Sequence, residues 1–214
     1  MFLKAVDCEG QVKDASFIAN SLIECIDVVG TQNVVQAITY NAKNCRAAGT
    51  IVEVTHNHIF WTPCVVHSLN LIMQKIGTQI DWVKKLYEEG EEIQMFVTNH
   101  HMSQAIFRTF SKLELLKVAE TRFACHTLVL RRLVKVREAL SSMVINGLWS
   151  VWKLAQTERA LKVRALILDE KWWDIVEYVL NFTEPIMSMI RYADTDCPCL
   201  GEIYDGMDCA WWRK

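Results

Sequence analysis

Proline, glycine and long apolar runs are all scarce in this chain. Its 214 residues include three prolines and eight glycines, too few for the low-complexity sequences that stay disordered. No apolar run approaches the length of a membrane span, and the opening MFLKAVD lacks the pattern of a secretory signal peptide. With 51% hydrophobic residues, we expect a folded, mostly helical intracellular protein whose eight cysteines are reduced and mostly buried.

Positive and negative charges nearly balance in the chain as a whole, but they are unevenly distributed along the sequence. The net charge of −2 gives no overall reason to expect nucleic-acid binding. Residues 103–137 nevertheless hold eight basic and two acidic side chains, and residues 169–214 hold ten acidic and four basic ones. This asymmetry indicates either a basic face with an acidic tail or ordinary solvated helix surfaces.

The first 77 residues alternate between strand and helix signals. Three short apolar runs predict strands: residues 2–6, 34–39 and 59–62. Asp14 is the predicted N-cap of a helix that ends before Gly30. A second helix is predicted over residues 42–54, and Pro63 is well placed to begin a third that stops at Gly77. This alternation predicts an α/β fold with a parallel sheet. The chain begins as if inside a strand, so we expect either a truncated chain or a mis-set start codon.

The remaining sequence shows helical spacing alone. Five helices are predicted: residues 82–97, 102–110, 124–141, 151–168 and 171–192, the last bent by Pro185. The NHHM sequence at residues 99–102 is interpreted as a loop. The predicted domains are therefore an α/β part over residues 1–77 and a helical part over residues 78–214.

Eight tryptophans are unusual for this length. Adjacent pairs such as Trp172 and Trp173 should not both face one core from the same helix. One member of each pair is therefore a candidate for a surface that binds a protein partner.

Two short motifs carry reactive side chains. Cys64 and His67 are three residues apart at a predicted helix start, and hence on one face. Zinc would require further ligands at a suitable spacing, and a nucleophilic thiol would require an assisting group. Packing or hydrogen bonding is therefore favoured over both. Arg122, in the sequence TRF before a long helix, either pairs with a phosphate or carboxylate or is simply solvated.

Taken together, four segments resemble the hAT superfamily of transposases, most closely the plant group with a BED zinc finger and a central domain of unknown function. The segments are FLKAVD, VVQAITYNAKNCRAAG, IFWTPCVVHSLNLIMQKIG and TRFACHTLVLRRL. Cys64 and His67 resemble the family's Cys/Asp-x-x-His motif, and Arg122 with Phe123 resembles its Arg-Trp motif. The resemblance implies a partial ribonuclease H-like core, residues 1–77, with residues 78–214 forming a helical insertion domain and the start of the return to the core.

The resemblance also implies where catalysis should occur. The family uses two Asp and one Glu to hold divalent metal ions that polarise the attacking and leaving oxygens. The second Asp ends a strand in the sequence ITDN, which here reads ITYN, so Tyr40 stands in its place. A neutral phenol is a poor ligand for Mg²⁺. The other two carboxylates have no counterpart between Met1 and Lys214.

We therefore expect a catalytically inactive transposase-like fragment, a nuclear pseudoenzyme from a transposable element, with no metal or other cofactor and no small-molecule substrate. Two alternatives remain open. One is a domesticated protein-interaction module without a DNA role, and the other is an active metal-dependent nuclease that uses substitute carboxylates such as Asp7 or Glu53. Weak, non-specific DNA binding is predicted at four arginines: Arg108, Arg122, Arg131 and Arg132.

The implied strand order, 3-2-1-4-5, has a consequence for stability. Residues 2–6, 34–39 and 59–62 would be the third, fourth and fifth strands, and the strands between the third and fourth would be missing. Unpaired strand edges promote aggregation. We therefore expect the first 77 residues to be poorly soluble or partly unfolded, and the helical part to be more ordered.

Overall fold

The computed structural model describes residues 2–115, 125–152, 154–195, 201–203 and 205–206. The chain is mostly helical and carries one small parallel sheet, so the α/β class is confirmed at this level. It divides into two compact units, residues 1–68 and 69–214, which we call the N-terminal unit and the helical unit. The assignment of residues 1–77 and 78–214 to a catalytic core and an insertion domain stays a prediction.

The first helix of the N-terminal unit, α1 (Ala15–Val29), has the caps that the sequence predicts. The Asp14 carboxylate accepts a hydrogen bond from the Phe17 N–H at 2.8 Å, which satisfies one of the free donors of the first turn. Gly30 ends the helix with φ of 90°, a conformation that residues with a Cβ rarely adopt. A short 3-10 helix, Thr31–Asn33, then leads into the sheet.

The sheet consists of β1 (Gln36–Thr39) and β2 (Phe60–Pro63), joined by α2 (Lys43–Thr55). The strands are parallel, with Ala37 opposite Trp61 and Thr39 opposite Pro63. Both strands and the helix lie within about two residues of their predicted positions. This β–α–β unit brings the C-terminal ends of both strands to the same edge, where α/β sheets bind their ligands.

The predicted strand at residues 2–6 is wrong, because that segment has no regular secondary structure. An extended segment becomes part of a sheet only when a neighbouring strand accepts its backbone hydrogen bonds. The described sheet contains β1 and β2 alone, and Lys4 instead forms an ion pair with Glu24 of α1. The Phe2 side chain is consequently 81% exposed.

In the described part of the chain the sheet is followed by these helices: α3 (Val65–Gln79), α4 (Asp81–Asn99), α5 (His101–Phe110), α6 (Cys125–Lys135), α7 (Arg137–Ile145), α8 (Gly147–Val151), α9 (Glu158–Leu168) and α10 (Glu170–Ala193). The division between the two units falls inside α3. None of the helices in the described part of the chain is long and apolar enough to cross a membrane.

Several predicted helix boundaries in this region are wrong. Residues 124–141 do not form one helix, because the chain turns at Val136 between α6 and α7. Residues 99–102 are not a loop throughout, since α5 begins at His101. Gly77 does not end α3, which continues to Gln79. A glycine at this position instead leaves room for Tyr87, because a Cβ there would lie 2.7 Å from the Tyr87 ring. The predicted helix over residues 171–192 is, by contrast, confirmed, since α10 runs from Glu170 to Ala193 with Pro185 inside it.

The helical unit has an extensive aromatic core, and it buries both members of the tryptophan pair. Trp172 and Trp173 are 4% and 1% exposed, so the prediction that one of them faces outward is wrong. Their rings meet almost at right angles, and each indole N–H has a partner: Glu89 for Trp172 and the Ile167 carbonyl for Trp173. The two adjacent rings therefore reach different elements of one core, since Glu89 belongs to α4 and Ile167 to α9.

Candidate functional site

Tyr40 lies in the connection that follows β1, at the C-terminal edge of the sheet. Its side chain is 63% exposed, and its ring packs edge-on against His67, with 4.8 Å between the ring centroids. The Thr39 hydroxyl donates to the Tyr40 carbonyl at 3.1 Å and accepts the Trp61 indole N–H at 2.9 Å. The backbone at Tyr40 is therefore tied to the neighbouring strand.

Cys64 and His67 reach the same edge from β2. The Cys64 N–H donates to the Thr39 carbonyl at 2.7 Å, which extends the parallel ladder by one bond. The Cys64 carbonyl accepts the Ser68 N–H at 3.1 Å, so Cys64 begins the first turn of α3, which carries His67. The Cys64 thiol is free and partly buried. The structure thus places the predicted motif beside Tyr40.

Asn41, which follows Tyr40, and the two carboxylates considered as substitute metal ligands all form hydrogen bonds within the chain. The Asn41 side-chain carbonyl accepts a hydrogen bond from Arg46 at 2.9 Å. Glu53 accepts the Trp61 backbone N–H at 2.9 Å, and Asp7 accepts the Glu9 N–H at 3.0 Å. The two carboxylates considered as substitute metal ligands therefore both hold local backbone.

The side chains at the strand ends do not fit a divalent-metal site of the kind that the family resemblance implies. They offer a phenol, an imidazole and a thiol, whereas Mg²⁺ prefers carboxylate oxygens. Within the described residues, no three or more His, Cys, Asp and Glu side chains are grouped so that they could hold a metal ion.

A packing contact behind the site was missed by the sequence reasoning. Gly49, in the middle of α2, has no Cβ, and a Cβ at this position would overlap the Trp61 indole. The indole can therefore lie flat against the helix while its N–H reaches Thr39. A glycine inside a predicted helix often has a packing reason, so the position of Gly49 within residues 42–54 could have indicated this contact.

Three of the four arginines predicted to contact DNA have partners within the chain. The Arg108 Nε lies 2.8 Å from Glu114 Oε1, and Arg132 donates to the Glu114 carbonyl at 3.1 Å. Arg131 forms an ion pair with Glu184. The pKa of the Arg131 guanidinium is lowered from its usual value, mainly because the group is partly buried and to a smaller extent because the positive charge of Arg191 is nearby. Arg122 and Phe123 lie outside the described residues.

The basic and acidic stretches of the sequence pair with each other in the fold. Glu184 of α10 binds both Arg131 of α6 and Arg191. Glu170, at the other end of α10, binds Arg137, whose guanidinium also lies 5.0 Å from the Trp173 ring centroid. The charge asymmetry along the sequence is thus partly neutralised within the helical unit.

Comparison with known proteins yields a match to a family model over part of the chain. Residues 1–93 match the model of a domain of unknown function, DUF659, a domain found in hAT-type transposase-like proteins. The match covers the whole N-terminal unit, including Tyr40, Cys64 and His67, and ends within α4. No curated protein and no solved structure matches the chain.

Proposed function

We propose that this chain is a catalytically inactive hAT-type transposase-like protein that acts in the nucleus. The observation that carries the proposal is Tyr40, a neutral phenol packed against His67 at the strand end where the family resemblance expects a metal-binding Asp. The DUF659 match over residues 1–93 supports the family assignment. Phosphodiester cleavage by paired metals needs carboxylates at this edge, and the carboxylate of Glu53 is used to hold β2.

A ribonuclease H-like arrangement of the N-terminal unit is part of this proposal. It is supported by the parallel pairing of β1 and β2 through the crossover helix α2. In the order 3-2-1-4-5, these strands would be the neighbouring fourth and fifth strands. The segment at residues 2–6 would then need a neighbouring strand before it could join the sheet.

Catalytic inactivity can be tested by incubating the purified chain with a DNA duplex and a DNA hairpin in Mg²⁺ or Mn²⁺. We expect no nicking above the level of a mock purification. Tyr40→Asp alone should also be inactive, because one carboxylate cannot assemble a two-metal site. Metal-dependent nicking that co-purifies with the chain and disappears in Glu53→Gln would overturn the proposal and favour the active-nuclease alternative.

Residual DNA contact is a second part of the proposal, supported by Arg108, Arg131 and Arg132. A phosphate would have to compete with Glu114 and Glu184 for these side chains. Binding should therefore be weak, independent of sequence, and steeply reduced by salt through counterion release.

Fluorescence anisotropy with a labelled duplex at two salt concentrations tests this contact. Glu114→Gln removes the ion-pair partner of Arg108 and should tighten binding, whereas Glu158→Gln, on the exposed first turn of α9, should not. Absence of binding at low salt, or binding that is insensitive to salt, would exclude DNA contact through these arginines.

A further inference from the structure

A continuous apolar surface lies on the exposed side of α10. Ile175, Tyr178 and Phe182 are spaced three and four residues apart and are 44%, 63% and 39% exposed, so they follow one another along one face. Trp82 of α4 is 49% exposed, and its ring centroid lies 6.3 Å from that of Tyr178. We call these four residues the α4–α10 patch.

The patch is not a result of poor core packing. On its other side α10 buries Trp172, Trp173 and Val176 almost completely. The helix therefore has two apolar faces, one inside the core of the helical unit and one in solvent. A cluster of large apolar side chains on an otherwise well-packed helix is typical of a protein-binding surface.

Unpaired negative charge borders the patch. Asp174 lies one turn before Tyr178 on the same face of α10, Glu177 directly precedes Tyr178, and Asp81 directly precedes Trp82 on α4. Among the described residues none of these three carboxylates forms an ion pair. Lys171, one turn before Ile175, is the basic residue of α10 that likewise has no ion-pair partner there. The border is therefore net negative.

We propose that the α4–α10 patch binds a basic amphipathic helix of a partner protein. The apolar face of such a helix would cover Trp82, Tyr178 and their neighbours, since apolar ridges of one helix pack between those of two others. Its flanking Lys and Arg side chains would face Asp81, Asp174 and Glu177. This surface shares no residue with the strand-end site, so the inference is independent of catalytic inactivity.

The same charges argue against two other occupants. A nucleic acid would bring phosphates next to the unpaired carboxylates. In a symmetric dimer each patch would meet its own copy, which would place the negative borders of the two chains against each other. A basic helix satisfies both the apolar and the charged parts of the surface.

A labelled peptide of about 18 residues, or five helical turns, provides the probe. It contains only Leu and Lys, with Leu on one helical face. Two matched peptides serve as controls: one with Glu in place of every Lys, and one with the same Leu and Lys content in an order without an apolar face. We expect saturable binding of the first peptide to the full chain by fluorescence anisotropy, at least about tenfold tighter than either control.

Substitutions in the patch should locate the binding site. Ile175→Ser combined with Tyr178→Ser should weaken binding by about tenfold or more. Leu161→Ser, at a 46% exposed position of α9, should leave it unchanged. Asp174→Asn combined with Glu177→Gln tests the charges without altering apolar contacts, and should weaken binding and reduce its salt dependence. Circular dichroism of each variant reports whether the fold is kept.

Three results would overturn the inference. One is equal affinity for the Leu/Lys and Leu/Glu peptides. Another is unchanged affinity in both the apolar and the charge variants. The third is concentration-dependent dimerisation in sedimentation that Tyr178→Ser abolishes, because it would identify a second copy of this chain as the occupant.

Discussion

The two units of this protein bury apolar side chains to very different extents. Among the described residues of the N-terminal unit, six apolar side chains are buried: Ala19, Ile26, Ala37, Ala48, Val52 and Ile59. The helical unit instead has one extensive cluster that joins seven helices, from α4 to α10. In the N-terminal unit large side chains such as Ile38 and Phe60 remain 54% and 65% exposed. Because burial of apolar surface is the main source of stability, most of the stability should reside in the helical unit.

Backbone hydrogen bonding should increase the difference in stability between the two units. A helix satisfies its own N–H and C=O groups, but a strand depends on neighbours. The bonds from Phe60 to Val35 and from Cys64 to Thr39 connect β1 to β2 on one side, and two strands alone make a marginal sheet. We therefore expect the motif residues Tyr40, Cys64 and His67 to lie on the less stable of the two units.

Hydrogen exchange should show this contrast most clearly. We expect the amides of β1 and β2 to exchange about ten-thousandfold faster than the slowest amides of α6 and α10, which corresponds to about 5.5 kcal/mol. Mass spectrometry of peptic fragments at neutral pH measures both sets in one sample. Similar protection in the two units, with a single cooperative unfolding transition and a monomeric chain, would show that the N-terminal unit is as stable as the helical one.

Truncation of a core tryptophan should destabilise the helical unit strongly. Trp173→Ala removes a side chain that is 1% exposed and that donates to the Ile167 carbonyl at 2.9 Å. The cost should be about 3–5 kcal/mol, because a large cavity is left. Urea unfolding followed by circular dichroism measures it.

Trp82→Ala is the matched control on α4. Its ring is 49% exposed, so the loss should be about 0.5 kcal/mol, as for most surface substitutions. Equal losses in the two variants would contradict the assignment of Trp173 to the core.

A smaller effect is expected from Gly49→Ala in the N-terminal unit. The added Cβ would overlap the Trp61 indole, which cannot easily move because its N–H is bonded to Thr39. Overpacking should cost about 1–3 kcal/mol, partly offset by the higher helix propensity of Ala, about 1 kcal/mol. Faster exchange of the β2 amides would report the loss.

Gly90→Ala makes the corresponding change in the helical unit. There the nearest atom, 2.5 Å from the added Cβ, is a terminal methyl of Leu130, which can rotate away more easily than a ring. We expect Gly90→Ala to cost less than Gly49→Ala. The reverse order would mean that the N-terminal unit yields more readily to a steric clash than the helical one.

Local chemistry explains which parts of this fold could be predicted from the sequence. Asp14 and Gly30 bound α1 as predicted, because capping depends on residues close in the chain. The apolar runs at residues 34–39 and 59–62 contain or overlap β1 and β2. The position of Tyr40 at a strand end followed directly from these two features.

Contacts between residues that are distant in the sequence explain which predictions were wrong. The run at residues 2–6 has strand-like composition, but the described sheet offers it no partner. Trp172 and Trp173 are both buried by residues distant in sequence, since Glu89 accepts the Trp172 indole N–H and Arg137 lies over the Trp173 ring. The ion pair between Arg131 and Glu184 joins residues 53 positions apart, and periodicity contains no information about such a contact.

The smallest expected effect concerns Tyr87, a buried phenol of the helical unit. Its hydroxyl is paired with the Thr127 hydroxyl at 3.1 Å. Burial raises the pKa of Tyr87 above its usual value of 10.0, and the hydrogen bond to Thr127 offsets part of the increase. The phenol is neutral when protonated, so folding favours the protonated form. Its contribution to stability is therefore complete below pH 10 and is lost as the pH rises through the pKa of the folded state.

Tyr87→Phe should separate the hydrogen bond from the titration. At pH 7 the variant should be less stable by about 1 kcal/mol, because the buried Thr127 hydroxyl loses its partner. Above pH 10 only the wild type should lose stability through this group, by at most about 1.4 kcal/mol per pH unit, so the difference between the two proteins should shrink. Urea unfolding from pH 7 to pH 11 measures both effects, with Tyr178→Phe as the control at a ring that is 63% exposed. If wild type and Tyr87→Phe lose stability in parallel above pH 10, the ionisation of Tyr87 is not coupled to the folding of the helical unit.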